Sequence, residues 1–382
     1  MSARTVMRRP LDRLVEARLA RAWRAGQRHP PPPEPADPAL VRLAHRLRAR
    51  SIDQAADRHA RSPHRVLLCT PPSWAARVWF EDLAAGLNHM GVACLRKSPE
   101  DGLNEADIAG FRPTVVVALD QPEVLARIDL PALRRHHDQT GCVRLLVPTR
   151  TDLFRAGRLD RGEARRLHQA RQGATADAYV SLYVPELWAQ RWTPWAEAGF
   201  GYLSLPQACN PLEDGAIDAP RTQAWGFCSA RNPARLRSVR PLRPLLARHA
   251  GEWAGQGWSF GGPPVAPAEM PAHYARARVV LAPLVRFLRD HPAEITHRVF
   301  EAAACGAFQV THPTPITRRF FSPDALVTAH PGALAATVER WLPRVCDRQA
   351  VAERALLHVY AEHTVFHRVD HLLGWLERWH GG

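Results

Sequence analysis

From residue 64 onward the chain alternates between short apolar runs and segments with helical spacing. Val66-Leu67-Leu68-Cys69, Thr114-Val115-Val116-Val117-Ala118-Leu119 and Val143-Arg144-Leu145-Leu146-Val147 are apolar on both sides rather than on one. A strand of that kind must be covered on both faces, as in a parallel sheet flanked by helices. Residues 92–95, 178–181 and 202–205 read as further strands, and residues 74–90 and 185–198 as helices between them. The pattern stops at residues 206–220, rich in Pro, Asp and Gly, and resumes at Trp225-Gly226-Phe227-Cys228. A chain of 382 residues is long enough for two cores. Two doubly wound halves are therefore expected. The first loop, Thr70-Pro71-Pro72-Ser73, lacks the G-x-G-x-x-G fingerprint, so no dinucleotide is expected there.

Composition narrows the class. A hydrophobic share of 46% and a charged share of 23% are globular. No apolar run is long enough to predict a spanning helix, and the basic N-terminus has no apolar core of a secretory signal. The seven cysteines form no CxxC pair, which predicts free thiols in a reducing cytoplasm rather than a zinc site or disulfides. Of the net +14, +9 falls on residues 1–65, with fifteen arginines against six carboxylates. Residues 1–28 place Leu11, Leu14, Val15, Leu19 and Trp23 at helical spacing, 30–38 are proline-rich, and 40–61 read as a second helix. This arm either docks on the body or a partner, is disordered, or meets an anionic membrane surface. Basic patches interleaved with exposed aromatics are not evident, so nucleic acid is not an expected partner.

The most informative stretch is residues 297–312, HRVFEAAACGAFQVTH. It predicts a short helix narrowed by Ala302-Ala303-Ala304, a stop at Cys305-Gly306, and a strand from Phe308. Arg298 and Glu301 share a helix face. Beside a helix N-terminus they suit a nucleoside diphosphate: the cation and free N–H groups meet phosphate, and the carboxylate accepts ribose hydroxyls. A surface ion pair is the competing reading.

Arg298-Val299-Phe300-Glu301-Ala302 with Ala304-Cys305-Gly306-Ala307 resembles the "R-x-F-E-x-x-A-C-G" signature of CgeB-like (spore-maturation type) glycosyltransferases, within the group-1 glycosyltransferases. His363-Thr364, His367-Arg368 and Leu372-Leu373 are similar to that family's terminal "H-T-x-x-H-R-x-x-x-L-L". The resemblance implies the GT-B fold: two Rossmann-like doubly wound domains facing a cleft, with a helical N-terminal arm. The implied organisation is an arm over 1–62, an acceptor-side domain over 63–208, a nucleotide-sugar domain over 209–362, and a helix over 363–382 crossing back. It also implies transfer from a nucleotide sugar, UDP- or dTDP-linked, to an acceptor, retention of configuration, and no metal or other cofactor.

On that reading the donor residues are Glu301, Arg298, Arg231, Ser229, Thr296 and Gly306. Glu301 would take the ribose, and Arg298, Arg231 and the helix N-termini the diphosphate. If the reaction inverts, Asp120 or Asp82 would be the base. Asp120 also reads as a helix cap. Acceptor-side loops would be 70–74, 120–121 and 148–152. The chain departs from the family at Ala208 and Ala230, where relatives carry glycine, which keeps open a catalytically silent binding protein. Arg286, Arg289 and Asp290 are either donor-closing or solvated. His363 and His367 have the spacing of a metal pair on one helix, without a third ligand. The expected location is the cytoplasm, with the arm available to the inner membrane face.

Overall fold

The computed structural model describes residues 3–71, 74–98, 100–148, 176–182, 201–284 and 295–381. The predicted helix 185–198, loop residues 149–152 and Arg286, Arg289 and Asp290 lie outside them. The chain separates into two compact units, one of residues 52–210 and 364–382, the other of residues 1–51 and 211–363.

Two helices open the chain, α1 (Ala3–Gly26) and α2 (Pro38–Ala55). The 52–210 unit then alternates β1 (Arg65–Cys69), α3 (Trp74–His89), β2 (Ala93–Lys97), α4 (Glu105–Phe111), β3 (Val115–Asp120), α5 (Pro122–Leu125), α6 (Leu130–Thr140), β4 (Val143–Pro148), β5 (Ala178–Ser181) and β6 (Gly201–Ser204). Its sheet is six-stranded and parallel, in the order β2-β1-β3-β4-β5-β6. Val66, Leu67 and Leu68 on β1 are fully buried on both faces, the reason this run is apolar without alternation. The capping box of Asn104 and Asp107 starts α4, and Gly141 in the left-handed region closes α6.

The second unit runs β7 (Gln223–Cys228), α7 (Pro233–Val239), α8 (Arg243–Arg248), β8 (Gly251–Ala254), α9 (Met270–Arg276), β9 (Ala277–Ala282), α10 (His297–Ala304), β10 (Gln309–Thr311), α11 (Pro315–Phe320), β11 (Val327–Thr328), α12 (Leu334–Trp341) and α13 (Val345–Glu362). Its sheet is parallel in the order β11-β10-β9-β7-β8. The segment 233–248 is divided at Pro241 and Pro244 into α7, a 3₁₀ turn and α8, because proline removes a donor and clashes with the preceding turn. Strand β8 follows directly.

Residues 1–51 of the basic arm belong to this second unit, and residues 52–62 to the first. Leu19, Ala20 and Ala22 of α1 are buried, with α1 packed on α8. Trp23 Nε1 and Gln27 Nε2 both donate to the carbonyl of Gly251. Glu34 is buried and bidentate to Arg348, at 3.2 and 2.6 Å, with Arg278 and Arg221 beside it.

The last helix, α14 (Val365–Gly381), is part of the first unit. Asp370 pairs with Arg58 and His59, and Trp375 donates to the Tyr202 carbonyl. His363 lies before this helix, at the C-cap of α13, so His363 and His367 do not share the helix on which the sequence placed them. Among the described residues no helix is long and apolar enough to cross a membrane.

Candidate functional site

In an open parallel sheet, ligands collect beyond the carboxyl ends of the strands where the winding reverses. In the second sheet that point lies between β7 and β9. The loop after β7 enters α7, whose N-cap Asn232 accepts from the N–H of Arg235 at 2.7 Å. Capping sets the first turn and so sets where the Arg235 side chain leaves it. The chain after β9 leads to α10, with Thr296 as N-cap and no side-chain capping bond. Gly306, at φ 67°, then turns the backbone into β10, a conformation glycine reaches at little cost.

Glu301 points from α10 toward α9. Its Oε1 faces His297 Nε2 at 3.1 Å, and its Oε2 accepts from the Tyr274 hydroxyl at 2.9 Å. Burial opposes its charge, but His297, Arg298 and the Tyr274 hydrogen bond outweigh it and hold the carboxyl at about 2. Burial and the Glu301 charge push the Tyr274 hydroxyl well up, so it remains a donor. Glu301 is an ionised, pre-oriented acceptor.

Arg298 adds its charge to Glu301, and Arg235 in turn faces the charge of Arg298. Arg235 donates through Nη1 to the carbonyl of Pro283, but its Nε has no hydrogen-bond partner. The Nε of Arg298 is equally unpartnered. Burial, then the charge of Arg298, lowers Arg235 to about 9. Two partly buried cations with spare donors form an arrangement that an anion would relieve.

The other residues singled out by sequence are placed differently. Arg231 donates through Nε to Glu16 Oε2 of α1 at 2.7 Å, and Glu16 also accepts from the Ser259 N–H. Ser229 is buried; its N–H donates to Ala254, and its carbonyl accepts from Trp258 Nε1. Trp258 itself packs on Trp253 at 4.9 Å. Gly306 lies on the far end of α10, nearest Leu40 of α2. In the other unit Asp120 ends β3, and the carbonyl of the next residue, Gln121, accepts from the N–H groups of Val124 and Leu125 of α5. Asp82 lies on α3 and accepts from Asn210 Nδ2 at 2.9 Å. A cleft at the ends of β1 and β2 is lined by Thr70, Lys97, Glu123 and Arg127, and the buried Thr70 hydroxyl there has no partner.

Arg235 and Tyr274 were not singled out by sequence. Arg235 sits inside an arginine-rich segment with no signal separating it from its neighbours. Tyr274 is 27 residues from Glu301, a proximity that only the sheet topology creates. A cluster of His358, Glu362 and His363 also forms. The two Nε2 atoms lie 3.1 Å apart, but His358 Nε2 also meets the Phe320 carbonyl, and Glu362 faces the other nitrogen of His358 at 3.9 Å. One ligand atom from each of the three lies within 4.8 Å of the others, a spacing that could hold a metal ion.

Comparison with known proteins bears on this geometry. Sucrose-phosphate synthase from Thermosynechococcus elongatus is similar over 83% of this chain and 98% of its own, with a TM-score of 0.55 and 10% identity. The chain has the GT-B fold. An alpha-glucosyltransferase in complex with UDP-glucose and DNA shares it, with a TM-score of 0.53 at 9% identity over 81% of this chain and 98% of its own. Anabaena Alr3699/HepE, in complex with UDP and glucose, has a TM-score of 0.50 at 10% identity over 82% of this chain and 100% of its own. In sequence, residues 235–374 of this GT-B chain match the family described as glycosyl transferase-like. No curated protein matches the chain. The family match begins at Arg235 and contains Tyr274, Arg298 and Glu301.

Proposed function

We propose that the protein is a glycosyltransferase that moves a sugar from a nucleoside-diphosphate sugar to an acceptor hydroxyl or amine. The observation that carries this is the pairing of an ionised Glu301 with the unsatisfied Nε groups of Arg235 and Arg298, at the switch point of a GT-B second domain. Glu301 accepts the ribose hydroxyls, and the two arginines meet the diphosphate. As the bond between the sugar carbon and the diphosphate oxygen breaks, negative charge develops on the leaving group where fixed cations already stand. That supports transfer without a divalent cation. One protein of the same fold is in complex with UDP-glucose and another with UDP and glucose, which makes a UDP-linked donor the first to test, with dTDP next. Retention and a CgeB-like subtype follow the signature around Glu301. The acceptor oxygen or nitrogen joins the sugar carbon and gives up its proton. In a retaining reaction the departing phosphate takes it, and in an inverting one Asp120 or Asp82 would have to.

The test is calorimetric titration with UDP, dTDP, GDP and ADP, followed by transfer assays in EDTA. One nucleotide binds wild-type protein, and Arg235→Ala and Arg298→Ala each weaken it by about 10- to 100-fold, the scale of a charge-assisted hydrogen bond. Failure of all four nucleotides to bind folded protein would overturn the reading. A strict need for Mg²⁺ would overturn its metal-independent form.

A further inference from the structure

The two most exposed large apolar side chains among the described residues are neighbours: Leu11 at 64% and Leu14 at 49%. They stand one turn apart on α1, ahead of the point where Leu19 and Ala20 are buried. They border an open groove of about 410 Å³ with Val15, Arg18, Arg240 and Arg243. Arg13, Arg18, Arg21, Arg240 and Arg243 are all exposed. The helix carries seven arginines and two carboxylates, Asp12 and Glu16. Glu16 is buried and held by Arg231, which leaves Asp12 as the one accessible acidic group of α1.

We propose that this face seats the protein on an anionic lipid surface. The leucines enter the headgroup boundary, and the surrounding arginines meet lipid phosphates while their stems lie along the apolar layer. A nucleic acid would use the same charges but would leave the leucines in water. It would also want exposed aromatics for stacking, whereas Trp23 packs on Phe260 at 5.9 Å. The face is separate from Arg235, Arg298 and Glu301, so the inference does not depend on the nucleotide reading.

The experiment is co-sedimentation of the full-length protein with vesicles of phosphatidylcholine, and with vesicles enriched in phosphatidylglycerol, at low and high salt. The protein sediments with the anionic vesicles, less so as salt rises. Leu11→Asp/Leu14→Asp and Arg18→Glu/Arg240→Glu/Arg243→Glu each reduce sedimentation by roughly 10-fold or more, with unchanged melting curves. Equal sedimentation with both vesicle types, none with either, or folded variants that sediment like wild type would overturn the proposal. So would salt-sensitive binding of duplex DNA that ignores the leucine substitutions and has no vesicle counterpart.

Discussion

At the scale of single residues, Glu301 is defined by what surrounds it. A carboxylate on a helix next to aliphatic core would ordinarily be pushed toward its neutral form, and His297, Arg298 and Tyr274 reverse that. Tyr274→Phe removes the donor on Oε2 without changing shape. It should cost about 1–3 kcal/mol, the penalty of an unmade buried hydrogen bond, and weaken nucleotide binding. A urea titration and the calorimetric assay read the two effects. The depressed carboxyl also fixes a pH dependence. A group whose pKa falls on folding contributes stability above its unfolded value and loses it as pH drops toward the folded one. Glu301 therefore contributes above about pH 4.5, and the contribution disappears as pH approaches about 2. Urea midpoints measured between pH 5 and 3 should fall more steeply for wild type than for Glu301→Gln. Parallel curves would show that Glu301 is not held ionised by its neighbours.

At the scale of elements, legibility follows burial. Strands β1, β3 and β4 are buried on both faces, so their apolar runs announce themselves. Helix α10 was legible from its alanines and Gly306, and so was the shared face of Arg298 and Glu301. Strand β8, Gly251-Glu252-Trp253-Ala254, was not. It is short, carries a glutamate engaged by His273 and Arg276, and follows a helix whose prolines blur its end. Docking of the arm on the body was one of several readings the sequence left open, because it rests on contacts between residues more than 200 positions apart. Glu34 is the clearest instance, a single buried carboxylate against Arg348 with two further arginines close by. Removing one partner of a buried ion pair leaves uncompensated charge, so Glu34→Ala should destabilise the second unit by about 3–5 kcal/mol. Gly26→Ala probes the same seam. A Cβ there would lie 2.0 Å from the Leu246 carbonyl oxygen and 2.8 Å from that of His249. The resulting overpacking should cost about 1–3 kcal/mol. Denaturant melts test both, and wild-type midpoints would mean that α1 does not rest on α8.

At the scale of the whole molecule, most of the net charge sits on the N-terminal segment, of which the second unit needs residues 1–51 for its own core. The +9 carried by residues 1–65 would suggest a dispensable basic tail if charge were considered alone. The structure ties that segment down through Trp23 and Gln27 on Gly251, Glu16 on Arg231, and Glu34 on Arg348. Cutting the chain before Pro63 would therefore remove more than charge. It would expose the α8 face that covers Leu19 and strand Arg348, which is 2% exposed in the intact protein. A burial loss of that size exceeds the margin by which a domain is usually stable. The shortened chain should lose the cooperative unfolding transition of residues 211–363, with proteolysis across that region under conditions where the full chain resists. A shortened chain that melts like the intact one and still binds nucleotide would show that the arm is an appendage. In that case Arg231, released from Glu16, would become the next residue to substitute in the donor assay.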